Sequence, residues 1–241
     1  MMTLLKVEWF KLKRSKIVYM TTVLTLFALI QGYQFARTDN SENAEEVFKG
    51  FLYQGSMAAY GWLILPLIIT VIIAMIARIE HSSNGWKQLF ALPVKRGQVY
   101  VAKLLISFVL IVYSLVLLYL GLAVAGHMLE IGPIPYLWMA KRFGMIFLSS
   151  LPIIGILFYV SYRFMHVGIP MTLGGGLAFP AMLVANSETY WIFYPWDYPI
   201  VSSLNFVFEI GEKGMIMIGI SISIFLLSML GVFRFRTKDI L

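Results

Sequence analysis

The residues best suited to functional chemistry in this sequence lie in one basic, aromatic loop, residues 78–103. A serine near the start of the loop can cap a short helix, and Trp86, Leu89 and Phe90 would then share one face of it. Pro93 ends that helix. A groove on a soluble partner binds a helix of this kind through its apolar face, so the loop predicts a mechanical contact. The alternative is a helix that lies on the lipid surface.

Side-chain patterns that catalyse reactions or bind nucleotides are missing from the sequence. No Walker A pattern (G-x-x-x-x-G-K-[ST]) occurs, so the chain lacks the phosphate-binding loop of many ATPases. No H-E-x-x-H, no G-x-S-x-G and no pair of carboxylates within an apolar run occurs either. The three histidines, His81, His127 and His166, fall in three different predicted loops, and we predict no metal site.

Six apolar runs must position this loop, in a chain that is 60% hydrophobic and has a mean hydropathy of +0.82. None of the runs contains Asp, Glu, Lys, Arg or His, and a helix of about 20 apolar residues crosses a bilayer core. We predict an all-α membrane protein with a single transmembrane domain over residues 1–241. The predicted spans are 17–35, 57–77, 104–125, 143–162, 167–185 and 215–233.

The distribution of lysine and arginine predicts that both termini are cytoplasmic. The segments then inside carry 14 basic and three acidic residues, and those outside carry five basic and nine acidic residues. The net charge of +7 therefore reports membrane topology, and nucleic-acid binding is not expected. Lys141 and Arg142 lie outside in this arrangement and are expected to snorkel at a helix end. The inside segments are 1–16, 78–103, 163–166 and 234–241.

Residues 1–16 are predicted to form an amphipathic helix on the membrane surface. Leu5, Trp9 and Leu12 fall on one stripe at helical spacing, and the lysines lie off that stripe. A basic amphipathic helix of this kind rests at the level of the lipid headgroups. Flanking positive charge without a surface helix is the alternative, but it does not explain the position of Trp9.

Residues 186–214, called the outer gate segment below, are too apolar for a simple loop. Six aromatic residues lie among positions 190–199, and such clusters mark the membrane–water interface. The apolar stretch after them is too short to cross, so we predict short re-entrant or interfacial helices between the fifth and sixth spans. The candidate gate residues are Trp191, Tyr194, Pro195, Trp196, Asp197 and Tyr198.

The fifth span contains three consecutive glycines, Gly174, Gly175 and Gly176, between Pro170 and Pro180. Two interpretations stay open for this composition. The backbone is broken at membrane depth, where it must be buried in protein or face a cavity. Alternatively, the glycines allow a neighbouring helix to pack closely.

The loop resembles the first cytoplasmic loop of permeases of the type-2 ATP-binding-cassette (ABC) exporter family. The basic amino-terminal helix with Glu8, the six spans and the length fit the same family, so the resemblance covers the whole chain. The loop pattern and the late Pro-Trp-x-Tyr-Pro motif are similar to permeases of lantibiotic immunity and peptide-antibiotic resistance. The residues that carry the resemblance are Glu80, Asn84-Gly85-Trp86-Lys87, Leu92-Pro93-Val94, Tyr100, Lys103 and Pro195-Trp196-x-Tyr198-Pro199.

The resemblance implies a permease that pairs with a second permease, the same or a different chain, in the bacterial cytoplasmic membrane. Each copy would bind a cytoplasmic ATPase that holds ATP and magnesium, and this chain would carry no cofactor. Immunity-type members expel antimicrobial peptides, and the short outer helices would gate the exit. The coupling helix in the ATPase cleft would comprise Glu80, Asn84, Gly85, Trp86, Lys87, Leu89, Phe90 and Pro93.

Arg163 and Phe164, in the short turn between the fourth and fifth spans, are expected to form a second cytoplasmic contact. The leading hypothesis is an exporter permease for an amphipathic or lipid-linked substrate. An ion-coupled secondary transporter is one rival. It is disfavoured because such transporters generally rely on ionisable groups inside the membrane, and the six apolar runs contain none. A membrane scaffold or sensor that anchors a soluble partner is the other.

Overall fold

The computed structural model describes the main part of each predicted span and the segments close to it. Within the described residues, every regular element is a helix. The described ranges are 2–13, 15–38, 56–82, 96–129, 134–164, 166–187, 189–204 and 212–235. The helices are α1 (Met2–Lys13), α2 (Ile17–Thr38), α3 (Leu65–Ser82), α4 (Arg96–Met128), α5 (Tyr136–Arg163), α6 (Gly168–Ala185), α7 (Tyr198–Ser203) and α8 (Lys213–Phe235).

The prediction of six membrane-spanning helices in an all-α fold is confirmed. Among the described residues, α2, α3, α4, α5, α6 and α8 are long and apolar enough to cross a membrane. A π-helical stretch, Tyr60–Ile64, leads directly into α3 and forms part of the second span. The shortest span, α6, has 18 residues, which corresponds to about 27 Å.

Several helices extend beyond the apolar runs. Helix α4 begins at Arg96 and α5 begins at Tyr136, so Lys103 and Arg142 lie inside helices and not in loops. The reason is that hydropathy marks only the lipid-crossing part of a helix, whereas backbone hydrogen bonding continues into the charged flank. Residues 83–95, the centre of the predicted coupling loop, lie outside the described residues.

Helix α5 occupies the centre of the bundle and packs against α3, α4, α6, α7 and α8. Its contact with α8 is close at Gly155, where an added Cβ would lie 3.1 Å from Phe225 Cα and from Ser228 Cβ. Ile153, Ile154 and Leu157 of α5 are fully buried. In contrast, α2, α4 and α8 each keep apolar side chains exposed on one face, as expected for helices that face lipid.

The glycines of α6 serve close packing at one position. The helix runs without interruption from Gly168 to Ala185, although it contains Pro180. A Cβ at Gly174 would lie 2.0 Å from Thr70 Oγ1 of α3, whereas one at Gly176 would meet nothing within 4 Å. Of the two interpretations of this span, close helix packing is therefore the one that the structure supports.

Candidate functional site

Two groups of candidate residues lie at opposite ends of the bundle. The α1 end contains α1, the beginning of α4 and the end of α5. The α7 end contains α7, the π-helical stretch and the beginning of α5.

Helix α1 packs along the beginning of α4. Leu5 and Leu12 of the predicted surface stripe contact the protein core, and Leu12 is buried. Trp9 is 44% exposed and Phe10 is 65% exposed, so their rings are available to lipid. The face of α1 that meets the protein therefore contains Leu5, Glu8 and Leu12, which recur at the spacing of one helix face.

Glu8 forms a buried ion pair at the centre of this contact. Lys103 Nζ of α4 donates a hydrogen bond to Glu8 Oε2 at 2.8 Å, and Lys11 Nζ lies 3.4 Å from Glu8 Oε1. Lys103 is 0% exposed and Glu8 is 6% exposed. Glu8 and Lys103 both belong to the family pattern in the sequence, but the sequence did not predict that they form a pair. The available signal was a lone glutamate among the lysines of an amphipathic helix.

The same end of the bundle holds the predicted second contact. Tyr100 of α4 packs edge-on against Tyr162 of α5, with ring centroids 5.3 Å apart. Arg163 and Phe164 follow directly, both are exposed, and the guanidinium lies 5.8 Å from the Phe164 ring. The structure therefore brings these residues to the end that carries α1.

Of the predicted coupling residues, only the backbone of Glu80 lies within the described residues. The backbone of Glu80 lies in α3. The remaining residues lie outside the described part of the chain. They are Asn84, Gly85, Trp86, Lys87, Leu89, Phe90 and Pro93.

At the α7 end, the outer gate segment binds the main chain of α6 through aromatic side chains. Tyr194 Oη donates to the Leu177 carbonyl at 2.6 Å, and Trp196 Nε1 donates to the Gly174 carbonyl at 3.2 Å. Gly174 precedes the end of α6 at Ala185 by eleven residues, which is about 16 Å of helix. The turn around Trp196 therefore reaches well into the bundle, and Trp191 begins a short 3₁₀ turn before it.

Helix α7 is held by two neighbouring elements. An added Cβ at Gly61 of the π-helical stretch would lie 3.0 Å from both Ile200 Cα and Pro199 O. Arg142 of α5 donates to the Ser202 carbonyl at 3.3 Å and lies 4.8 Å from the centre of the Trp138 ring. Arg142 therefore binds the gate segment from inside α5, and the prediction that it lies at a helix end is wrong.

Asp197 is the most unusual residue at this end. It is 0% exposed, and neither of its carboxyl oxygens has a hydrogen-bond partner among the described residues. Burial raises the pKa of Asp197 to about 8, because the charged form loses its hydration. Among the described residues no group of side chains is arranged to hold a metal ion.

A family model described as ABC-2 family transporter protein matches residues 4–179. That range covers well over half of the chain and includes Glu8, Lys103, Arg163 and Phe164. The chain belongs to the ABC-2 transporter family. No curated protein and no solved structure matches it.

The resemblance to type-2 ABC permeases is therefore confirmed at the level of the family. An ABC-2 family protein with six membrane-spanning helices is a multi-pass membrane component of a transporter. The family match ends before the outer gate segment, so the arrangement around Asp197 rests on the structure alone.

Proposed function

We propose that this ABC-2 family protein is the permease subunit of an exporter driven by a separate cytoplasmic ATPase. The observation that carries the proposal is the α1 end of the bundle. There, a buried ion pair and an aromatic contact join α1, the first turns of α4 and the end of α5. The sequence has no phosphate-binding loop of its own, so ATP hydrolysis must occur on a partner chain.

Helix α5 offers a path from the loop to the gate. A displacement of the loop would move the start of α4, which contacts α5 through Tyr100 and Tyr162. At its other end, α5 packs against α7 and binds it through Arg142. A movement at the α1 end could thus reach the outer gate segment through one central helix.

The proposed substrate is an amphipathic or lipid-linked molecule, with a lantibiotic-like antimicrobial peptide as the first candidate. The resemblance of the loop and of the Pro195-Trp196-x-Tyr198-Pro199 motif to immunity permeases supports this choice. Opening of the gate would break the bonds from Tyr194 and Trp196 to α6 and admit water to Asp197. The partner permease completes the assembly as a second copy or a related chain in a bacterial plasma membrane.

Asp197 favours one second candidate function, an ion-coupled secondary transporter. A buried carboxyl without a partner can bind and release a proton, and such groups inside membranes are usually functional. It lies outside the six spans, however, and it is 0% exposed in this structure. ATP-driven export therefore remains the function that the arrangement supports best.

Association with an ATPase tests the proposal directly. The chain would be co-expressed with candidate ABC ATPases and purified in detergent. We expect the ATPase to co-purify with the wild-type chain, and the Trp86→Ala/Leu89→Ala variant to lose most of it, since a few buried aromatic and aliphatic contacts dominate interface energies.

A matched control is Tyr136→Ala/Leu137→Ala, which also truncates one aromatic and one leucine side chain, both exposed near the start of α5. This variant should retain the ATPase. Equal association of both double variants would contradict the coupling-helix assignment.

A further inference from the structure

Burial of the Glu8–Lys103 ion pair between two helices has a high cost in hydration free energy. Both charges lose their hydration when they are buried, and the attraction between them does not reliably exceed that cost. Apolar residues of similar volume often give equal stability at such a position. Stability alone therefore does not explain the pair. The best-attested role of a buried polar pair is to fix the relative position of two elements.

The surroundings of the pair show what it fixes. Leu5 and Leu12 flank Glu8 by about one helical turn on either side and pack against the core. Apolar contacts of this type tolerate sliding and rotation, whereas the 2.8 Å bond from Lys103 Nζ to Glu8 Oε2 permits one register. Lys11 on the half-exposed side contacts the second oxygen of the same carboxylate.

Lys103 lies near the start of α4, where a movement of the loop would displace it. It is the eighth residue of α4, which begins at Arg96 within the last part of the predicted coupling loop. A displacement of the loop would shift the first two turns of α4, and Lys103 would transmit the shift to α1.

We propose that the Glu8–Lys103 ion pair makes the membrane-surface helix α1 move as one body with the start of α4, and that this connection is required to convert ATP hydrolysis into transport. This inference rests on the proposed function. Glu8 and Lys103 are positioning residues, because they act through the helices and not on the substrate.

The test compares transport with ATP hydrolysis in proteoliposomes that contain the chain and its co-purified ATPase. The probe is a fluorescently labelled lantibiotic. Glu8→Gln and Lys103→Gln should retain the ATPase and hydrolyse ATP within about twofold of wild type, but transport about tenfold less peptide per ATP. The reversed pair, Glu8→Lys/Lys103→Glu, should recover the ratio to within about threefold of wild type.

Lys11→Gln is the matched control, since it removes the longer contact of Glu8, from the partly exposed Lys11, and leaves the bond from Lys103 in place. It should transport within about twofold of wild type, because water can replace part of the contact that Lys11 makes. Single variants with a normal ratio of transport to hydrolysis, or a reversed pair no better than either single variant, would overturn the proposal.

A cross-link separates this inference from the proposed function. The chain contains no cysteine, so cysteines introduced at Leu5 and Leu105, which line the same groove between α1 and α4, can be joined by a short thiol reagent. The yield should fall about threefold with Glu8→Gln and recover in the reversed pair. If the wild-type assembly shows no ATP-dependent transport, the proposed function fails. An unchanged cross-link in Glu8→Gln overturns the positioning role in either case.

Discussion

The two ends of this bundle differ in how their buried ionisable side chains are paired. At the α1 end, Lys103 and Glu8 satisfy each other, and Lys11 adds a second contact to the same carboxylate. At the α7 end, Asp197 is as deeply buried, but its carboxyl group has no hydrogen-bond partner within the described part of the chain. A paired charge specifies one arrangement, whereas an unpaired carboxyl group gains hydration when its surroundings separate. We infer that the α1 end is built to stay together and the α7 end to come apart.

The largest effect expected from a single substitution comes from the packing that positions the α7 end. In Gly174→Ala, the new Cβ would overlap with the side chain of Thr70, which is buried and donates a hydrogen bond to the Pro66 carbonyl. We expect a loss of about 1–3 kcal/mol of stability, measured as a lower unfolding temperature in detergent. The bond from Trp196 to Gly174 should weaken at the same time.

Gly176→Ala is the matched control on the same helix, because its Cβ would meet nothing within 4 Å. That variant should be neutral or more stable, by up to about 1 kcal/mol. Equal destabilisation by both substitutions would mean that helix flexibility, and not close packing, explains the glycines.

The pH dependence of the free energy of unfolding tests the burial of the Asp197 carboxyl group. The folded protein holds a proton on Asp197 up to about pH 8, whereas the unfolded chain releases it near the ordinary carboxyl pKa of 3.8. Stability should therefore fall between these values as the pH rises, by at most about 1.4 kcal/mol per pH unit. Asp197→Asn should remove this contribution, so that its unfolding temperature falls less between pH 5 and pH 8 than that of the wild type.

Glu212→Gln, which changes an exposed carboxyl near the start of α8, should keep the pH profile of the wild type. If Asp197→Asn also kept that profile, Asp197 would be hydrated or paired in solution. The contrast between the two ends would then be lost.

The smallest expected effect concerns the aromatic bonds of the gate. Trp196→Phe removes the N–H that binds the Gly174 carbonyl, and Tyr194→Phe removes the O–H that binds Leu177. Each should cost about 1 kcal/mol, read as a lower unfolding temperature in detergent. Tyr190→Phe is the control, since that ring is exposed and should leave stability unchanged. If the control costs as much as the gate variants, the bonds to α6 do not hold the segment.

The sequence was sufficient for the architecture and for the family, because both depend on regular patterns. Apolar runs without charges predict membrane-spanning helices, and the loop motif carries the resemblance that the family match confirms. The partnership of Glu8 with Lys103 could not be predicted, since it joins two surfaces that come together only on folding. Asp197 was predicted as a gate residue, but its burial could not be predicted, because it depends on how the gate segment packs against the spans.

The most direct test of the account is transport in proteoliposomes, with the labelled lantibiotic as substrate. The assembly of this chain and its ATPase should require ATP, and transport should survive collapse of the proton and sodium gradients, because the driving force enters through the α1 end. Transport by the purified chain alone under an ion gradient, abolished by Asp197→Asn, would contradict the account and identify the α7 end as the site of energy coupling.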